Sequence, residues 1–200
     1  MTSAEIGLTF IIGAARSGKS AYAVELGTKL GAPTLYVATA EAIDPEMRAR
    51  IRRHQADRPR AWRTLEAPLE FAQRIASEAD PGSTVIIDCL TVWLGNLLEQ
   101  HVRDANAPKE SETERARRQA LEELELICRL PGAQQLQLIV ISNEVGAGLV
   151  PPYPLGRVYR DLLGEINQLV ARYADTVLLL VAGLPLELKT PTQEQDRIEP

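Results

Sequence analysis

Short apolar runs recur along the chain and are separated by longer segments in which apolar residues return every three or four positions. The runs predict strands at Leu8–Ile12, Thr34–Ala38, Thr84–Asp88, Leu136–Ser142 and Thr176–Val181, with a weaker candidate at Leu186–Lys189. Their near-continuous Val, Ile and Leu content is typical of a parallel sheet that is covered on both faces. Because strands that alternate with helices form repeated βαβ units, the pattern predicts a three-layer α/β domain with a mostly parallel sheet.

Two amphipathic segments predict helices that pack on this sheet. One segment places Ala116, Ala120, Leu124 and Ile127 on one face, and the other places Val158, Leu162, Ile166, Leu169 and Tyr173 on one face. The polar stretch Asp104–Glu112 is interpreted as a loop, and residues 190–200 as a mobile tail on a core of about residues 7–189. We therefore expect residues 1–200 to form a single domain.

Composition narrows the class of protein. The chain has 200 residues, 45% of them hydrophobic, which suits one globular domain with an ample core. Its net charge of −5 argues against a general nucleic-acid binder. We expect no membrane span, because no apolar run reaches ~18 residues, and no secretory signal. Cys89 and Cys128 lack the spacing of a metal site, so we expect buried free thiols in a reducing cytoplasm.

The segment after the first predicted strand has the form of a phosphate-binding P-loop. It reads GAARSGKS and fits G-x-x-x-x-G-K-[ST]. Glycines in such a loop let successive backbone N–H groups point at phosphate oxygens, and the following helix adds its positive end. The predicted phosphate-binding residues are Gly13, Ala14, Ala15, Arg16, Ser17, Gly18, Lys19 and Ser20. Lys19 is expected to reach the β- and γ-phosphates and Ser20 to ligate Mg²⁺, so the chain is predicted to bind a nucleoside triphosphate.

Two other predicted strands end in polar residues at the same edge of the sheet as the P-loop. Asp88 ends an apolar strand, as a carboxylate that helps to hold Mg²⁺ does, and the P-loop favours this role. The alternative is that Asp88 caps the next helix, a role that also suits Thr91. Asn143 and Glu144 follow another strand within SNEVGAG. This segment is either a bare glycine-containing loop or part of the site, where the two side chains would orient a substrate hydroxyl.

Residues 48–63 form an arginine-rich segment in an otherwise acidic protein. The segment is either a solvated helix face or a surface that attracts phosphate groups, which guanidinium groups bind in pairs. His54 lies within it and continues the helical stripe Ile43, Met47, Ile51. It is either a packed histidine or a nucleophile that the arginines keep neutral beside a triphosphate. His101 borders a loop and is interpreted as structural or solvent-exposed.

Five segments of the chain also resemble a known family. They are, in order, GAARSGKS, YVATAE, MRARIRRHQADRPRAWRTLEAP, VIIDCLTVWLGNLL and ISNEVGAGLVP. In order and spacing they are similar to the bifunctional adenosylcobinamide kinase/adenosylcobinamide-phosphate guanylyltransferases of cobalamin biosynthesis, from about Leu8 to Lys189. The combination of H-x-x-x-R-P with N-E-V-G is far more specific than a P-loop alone.

The resemblance implies a RecA-like P-loop NTPase fold and two reactions. In the first, the γ-phosphate of ATP or GTP passes to the aminopropanol hydroxyl of adenosylcobinamide. In the second, a histidine takes GMP from GTP, releases pyrophosphate and passes the GMP to the new phosphate, which gives adenosylcobinamide-GDP. The implied cofactors are GTP, ATP and Mg²⁺, the implied small-molecule partners are adenosylcobinamide and its phosphate, and the implied assembly is a homo-oligomer, with a trimer as the expected state.

The resemblance also implies roles for individual residues. His54 matches the histidine that carries GMP, and Lys19 and Ser20 match the phosphate loop. The positions expected to contact GTP or its metal are Val37, Ala38, Thr39, Gln55, Ala56, Asp57, Arg58, Glu66 and Asp88. Ser20 and Asp88 are the expected metal ligands, and Glu66 is our candidate for reading N1–H and the exocyclic amine of guanine.

The sequence departs from some relatives at two positions. Ala14 stands where some have a second glycine, which should be tolerated if its φ is negative, and Arg53 stands where some have a second histidine. Two other functions remain open on the residues alone. One is a P-loop kinase for another small alcohol, in which His54 is a packed helix residue. The other is a RecA-like ATPase that acts on nucleic acid or a partner protein.

Overall fold

The computed structural model describes residues 7–41 and 45–191, and within 45–54 it leaves out the side chains at 45–47, 50, 53 and 54. Strands and helices alternate through most of this part of the chain. The strands are β1 Gly7–Gly13, β2 Thr34–Ala38, β3 Arg63–Glu66, β4 Thr84–Asp88, β5 Gln137–Asn143, β6 Thr176–Val181 and β7 Leu184–Lys189. The helices are α1 Lys19–Leu30, α2 Pro45–Ala56, α3 Ala72–Glu78, α4 Leu90–His101, α5 Glu110–Gln134 and α6 Pro154–Tyr173.

The strands form one seven-stranded sheet in the order β3-β2-β4-β5-β1-β6-β7. Every neighbouring pair is parallel except β6 and β7, which are antiparallel. Gly13 pairs with Asn143 across β1 and β5, and Asp88 pairs with Ile141 across β4 and β5. The P-loop and the polar ends of β4 and β5 therefore meet at one edge, with β5 between the other two strands, as the sequence predicts.

Helices cover both faces of the sheet, which gives the three predicted layers. Alternate strand residues face opposite ways, so Phe10 packs in a core with α3, α4, α5 and α6, whereas Ile11 packs in a second core with α1. The central strands are buried on both faces, which explains why they are apolar without alternation. The predicted mostly parallel three-layer α/β fold is confirmed.

The predicted strands are confirmed to within two residues at each end, but β3 was missed. This strand is short and lies at the edge of the sheet, and of its four residues only Leu65 is buried. The sequence RTLE therefore carries too little apolar pattern to predict a strand. The predicted loop Asp104–Glu112 is wrong at its end, because α5 begins at Glu110. There the Glu112 side chain accepts from the Lys109 backbone N–H in a capping box.

The predicted helix faces are largely confirmed. Ala116, Ala120, Leu124 and Ile127 of α5 are fully buried, and Leu162, Ile166 and Leu169 of α6 are buried. Tyr173 is 40% exposed, so placing it on the buried face was wrong. It is the last residue of α6, where its polar tip can stay at the surface.

The remaining predictions concern the cysteines, a membrane span, the C-terminal tail and the helical stripe before His54. Cys89 and Cys128 are free thiols, as predicted, although Cys89 is only partly buried. In the described part of the chain, no helix is long and apolar enough to cross a bilayer. Residues 192–200 of the expected tail and Ile43 of the predicted stripe lie outside the described residues.

Candidate active site

The P-loop is shaped by two glycines at close backbone approaches. A Cβ atom at Gly13 would lie 2.5 Å from the carbonyl oxygen of Leu180 in the neighbouring strand, so no larger residue fits there without a shift. Gly18 has a φ of 97° and packs against the turn between β6 and β7, where Gly183 N–H donates to the Ser17 carbonyl at 2.9 Å. The loop is thus held between β1 and the β6–β7 turn.

Lys19 is the first residue of α1 and is 7% exposed. Its Nζ donates to the carbonyl of Gly13 at 3.0 Å and to that of Ala14 at 2.7 Å, so the ammonium group lies across the loop. Ala14 is not among the residues with positive φ, which meets the condition for alanine at this position, whereas Arg16 has a φ of 58°. A buried ammonium folded onto its own loop is suited to a phosphate chain, because phosphate oxygens would replace the carbonyls.

Asp88 ends β4 and accepts a hydrogen bond from the Tyr36 hydroxyl at 2.5 Å. Helix α4 has Cys89 as its N-cap without a side-chain cap bond, so Asp88 does not cap that helix. Thr91, the other capping candidate, instead accepts from the Asn143 backbone N–H at 2.9 Å. Burial, followed by the negative charge of Asp88, raises the pKa of Tyr36 well above its usual range, so the phenol is a permanent donor to this carboxylate.

Arg58 stacks on the other side of Tyr36, with its guanidinium carbon 3.4 Å from the ring centroid. Arg58 also lines the cavity described below, and its buried Nε atom has no hydrogen-bond partner among the described residues. Arg63 of the same arginine-rich segment forms ion pairs with Glu78 and Asp80. The segment therefore has mixed roles: Arg58 faces the site, and Arg63 ties β3 to the end of α3.

A cavity of about 430 Å³ joins these groups, and we call it the nucleotide cavity. Six of the predicted site residues line it, namely Ser20, Ala38, Gln55, Arg58, Glu66 and Asp88. They come from α1, β2, the α2–β3 region and β4, so the fold brings together residues that are up to 68 positions apart in the chain. The cavity combines an apolar wall with a few convergent charged groups, which is typical of a cofactor or substrate site.

Other predicted residues lie near the cavity without lining it. Val37 and Thr39 are fully buried, so neither residue is exposed to the cavity. The Thr39 hydroxyl donates to the Cys89 carbonyl at 2.9 Å and accepts from the Cys89 N–H at 2.8 Å, which joins β2 to the start of α4. Ala56 and Asp57 are exposed at the end of α2, and Ala15 is exposed on the P-loop.

The backbone of His54 lies in the last turn of α2, and its side chain lies outside the described residues, as does that of Met47. Ile51 and Gln55 of the same helix line the nucleotide cavity. The other histidine, His101, has its Nε2 2.7 Å from the Gln119 side-chain oxygen, which supports its structural interpretation.

The segment after β5 is tied to the P-loop. The Glu144 backbone N–H donates to the Gly13 carbonyl at 3.1 Å, and the Asn143 carbonyl accepts from the Asn167 side-chain amide at 3.0 Å. The Glu144 carboxylate accepts from the Gly146 N–H at 2.5 Å, which orders the turn. The segment therefore lies beside the P-loop, and neither Asn143 nor Glu144 lines the nucleotide cavity, so a role in orienting a substrate hydroxyl stays a prediction.

The donor set fits Mg²⁺ bound together with a nucleotide. Ser20 and Asp88 line the same cavity and would offer two oxygen ligands, and Mg²⁺ in nucleotide sites takes its remaining ligands from water and phosphate. The described residues contain no cluster of three or more His, Cys, Asp or Glu that would hold a metal without phosphates.

Comparison with known proteins decides the family. The model of the cobinamide kinase/cobinamide phosphate guanyltransferase family matches residues 9–188. The chain belongs to this family. It is 44% identical to the bifunctional adenosylcobalamin biosynthesis protein CobP of Pseudomonas aeruginosa, over 90% of this chain and 95% of CobP. It is 34% identical to the bifunctional protein CobU of Salmonella typhimurium, over 91% of this chain and 99% of CobU.

Solved structures show the same fold outside this family. The flagellar accessory protein FlaH of Methanocaldococcus jannaschii has a TM-score of 0.50 at 12% identity and covers 92% of this chain, which covers 78% of FlaH. A protein of Pyrococcus horikoshii OT3 has a TM-score of 0.53 at 8% identity, with 94% of this chain and 88% of that chain covered. At these identities the likeness shows the three-layer α/β fold alone.

In this member of the cobinamide kinase/guanyltransferase family, sequence reasoning missed Tyr36 as a residue of the site. Tyr36 lies within a buried apolar strand, so the pattern assigns it to the core. A signal was nevertheless present, because a buried tyrosine hydroxyl requires a hydrogen-bond partner. Pro68, Cys89 and Val92 also line the nucleotide cavity and were not predicted to do so.

Proposed function

We propose that this protein phosphorylates adenosylcobinamide on its aminopropanol hydroxyl with ATP or GTP. It then transfers GMP from GTP, through a histidine–GMP intermediate on His54, to the new phosphate. The product is adenosylcobinamide-GDP. The observation that carries this proposal is that a family model for both activities matches residues 9–188, the stretch that also supplies the whole nucleotide cavity.

For the kinase reaction, the described residues supply positioning and positive charge. When a nucleotide binds, the Lys19 ammonium group donates to phosphate oxygens in place of the carbonyls of Gly13 and Ala14. The backbone N–H groups of the loop hold the rest of the phosphate chain. Ser20 and Asp88 would hold Mg²⁺, which neutralises charge on the phosphate chain when it is bound. Glu144, anchored beside Gly13, is our candidate for orienting the acceptor hydroxyl, and kinase turnover that is undiminished in Glu144→Gln would remove it from this role.

For the guanylyl transfer, the proposal requires a neutral histidine beside a triphosphate. The His54 ring nitrogen attacks the α-phosphorus of GTP, a P–N bond forms, and the bond to the departing pyrophosphate breaks. An oxygen of the acceptor phosphate then attacks the same phosphorus, and His54 leaves. Arg58 stabilises negative charge on the pyrophosphate, because it lines the nucleotide cavity and its guanidinium is held there by stacking on Tyr36.

Glu66 is the proposed guanine reader. It ends β3, lines the nucleotide cavity, and its backbone carbonyl accepts from Arg74 at 2.7 Å, which fixes the end of the strand. A carboxylate can accept from both N1–H and the exocyclic amine of guanine, whereas adenine offers no such pair. Glu66→Ala should therefore abolish the preference for GTP over ATP in guanylylation, and an unchanged preference would refute the role.

Intact mass after incubation with GTP and Mg²⁺ tests the proposal as a whole. We expect the wild type to gain the mass of one GMP in an acid-labile linkage and His54→Ala to gain nothing. His101→Ala is the matched control, because that histidine lies on α4 and bonds to Gln119. If GTP binds to the wild type but no adduct forms, the protein is a kinase without nucleotidyl transfer.

The proposal also includes the oligomeric state of the protein and its location in the cell. A homo-oligomer, with a trimer as the expected state, and a cytoplasmic location remain as the sequence predicts them. Light scattering of the purified protein measures the number of copies directly, and a mass equal to one chain would overturn the proposed assembly.

A further inference from the structure

A second cavity, of about 370 Å³, lies between helices α4 and α6. Leu98 of α4 and Tyr159 of α6 line its walls, and the segment 145–155 that follows β5 contributes Leu149 and Tyr153. We call it the α4–α6 groove. Nothing in the proposed nucleotide chemistry uses this groove, and most of its lining is apolar.

The α4–α6 groove is linked to the P-loop and to the start of α4 by two hydrogen bonds. Val145, which lines the groove, directly follows Glu144, whose N–H donates to the Gly13 carbonyl of the P-loop. Tyr159, which also lines the groove, donates from its hydroxyl to the Thr91 carbonyl at 3.0 Å, in the first turn of α4. A molecule in the groove would therefore have one end within reach of a nucleotide on the P-loop.

The segment beside the groove presents apolar side chains to solvent. Leu149 is 98% exposed, Val150 is 60% exposed and Tyr153 is 53% exposed. Hydrogen bonds hold the segment in place, because Arg157 donates to the carbonyls of the two prolines before Tyr153 at 3.1 and 2.9 Å. Contiguous exposed apolar side chains on a fixed backbone mark a binding surface.

Gly95 leaves the α4 side of the groove without a side chain. It lies in the middle of α4, and a Cβ atom built there would meet no heavy atom of the described residues within 4 Å. Packing against the described residues therefore does not require a glycine at position 95. A glycine in the interior of a helix destabilises it by about 0.5–1 kcal/mol relative to alanine. Gly156 differs, because its Cβ would lie 2.6 Å from the Tyr153 ring, so it serves internal packing. The space above Gly95 is open to the groove.

We propose that the α4–α6 groove binds the corrinoid acceptor and directs its hydroxyl, or in the second reaction its phosphate, past Glu144 toward the P-loop. This inference rests on the proposed function, which requires a large acceptor beside the nucleotide. The apolar walls suit a methyl-bearing corrin ring, and Glu99 and Arg160 on the lining suit its amide side chains. The nucleotide cavity, with Lys19 and Arg58 beside it, suits phosphates instead.

Gly95→Leu tests the proposal, because leucine favours the helix and fills the groove. We expect adenosylcobinamide, measured by equilibrium dialysis through its visible absorbance, to bind at least about tenfold more weakly than to the wild type. Gly132→Leu is the matched control, since Gly132 lies in α5, outside the groove, and its Cβ also meets no described atom. Leu149→Glu is a second variant whose side chain is almost fully exposed, so its loss of affinity does not depend on refolding of the core.

The binding measurements distinguish failure of the groove proposal from failure of the proposed function. If the wild type does not bind adenosylcobinamide, the proposed function and the groove both fail. If the wild type binds it and both groove variants bind it equally well, only the groove proposal fails. If the variants keep their affinity but change the number of copies in light scattering, the surface joins copies of the chain and the proposal is wrong. Weaker acceptor binding with unchanged GTP binding supports it.

Discussion

Tyr36 connects two charged residues of the nucleotide cavity, since its hydroxyl donates to Asp88 and its ring carries Arg58. Tyr36→Phe keeps the ring and removes only the donor. We expect the Mg²⁺ concentration for half-maximal activity to rise several-fold, because the Asp88 carboxylate loses the bond that orients it, a bond worth about 1.5–3 kcal/mol. Titration of Mn²⁺ binding by electron spin resonance in the presence of nucleotide measures this without turnover, and unchanged affinity would contradict it.

Gly13 gives a second prediction at the residue scale. In Gly13→Ala the new methyl group would lie 2.5 Å from the Leu180 carbonyl and 2.8 Å from the Ser17 hydroxyl oxygen. Relieving such contacts costs about 1–3 kcal/mol, so we expect a lower urea midpoint together with weaker GTP binding. Gly132→Ala, at an open helical position, is the control and should be neutral or slightly stabilising. If Gly13→Ala were as stable as the wild type, β1 and β6 would be able to move apart at this position without loss of stability.

At this scale the sequence predicts local motifs well and distant pairings poorly. The P-loop is one continuous segment, and Asp88 follows an apolar run, so both are visible as patterns. The contacts of Tyr36 depend on β2 lying beside β4, which only the folded sheet determines. For the same reason, the sequence could not separate Arg58, which faces the site, from Arg63, which forms ion pairs with α3 and the loop after it.

Helix α3 depends on a side chain from another helix. The Glu123 carboxylate of α5 accepts from the backbone N–H groups of Phe71 and Ala72, each at 2.7 Å, at the start of α3. Removing such a cap costs about 1–2 kcal/mol, so Glu123→Ala should lower the free energy of unfolding by that amount. Glu122→Ala, the exposed neighbour, is the control. Equal stability of the two variants in urea denaturation would show that solvent replaces the cap.

At the element scale, burial decides which strands the sequence reveals. Strands β2, β4 and β6 have the predicted bounds. Each lies between two other strands in a sheet that helices cover, and a strand in such a position is mostly apolar along its length. Strand β3 lies at the edge, with three of its four residues exposed, and leaves little pattern. It nevertheless ends in Glu66, so the least predictable element carries a residue of the proposed guanine site.

For the whole molecule, the titration of the two cysteine thiols predicts how stability depends on pH. Burial raises the pKa of Cys89 to about 11 and that of Cys128 to about 12, from an ordinary value of 9.0. Above pH 9 the unfolded chain loses these protons while the folded protein keeps them. The unfolded state then binds fewer protons, so stability must fall as the pH rises. Between pH 9 and 11 the loss is about 2 kcal/mol per thiol.

Urea denaturation at a series of pH values from 8 to 11 measures this loss. Cys128→Ala removes one titrating group, so we expect its stability to decline less steeply above pH 9, whatever constant penalty the smaller side chain adds at every pH. Buried Tyr36 and Tyr159 have pKa values raised in the same direction, so some decline must remain above pH 10 in the variant. If wild type and Cys128→Ala decline with the same slope, Cys128 ionises as easily in the folded protein as in the unfolded chain. Water would then reach the Cys128 thiol more easily than its 8% exposure in the folded core indicates.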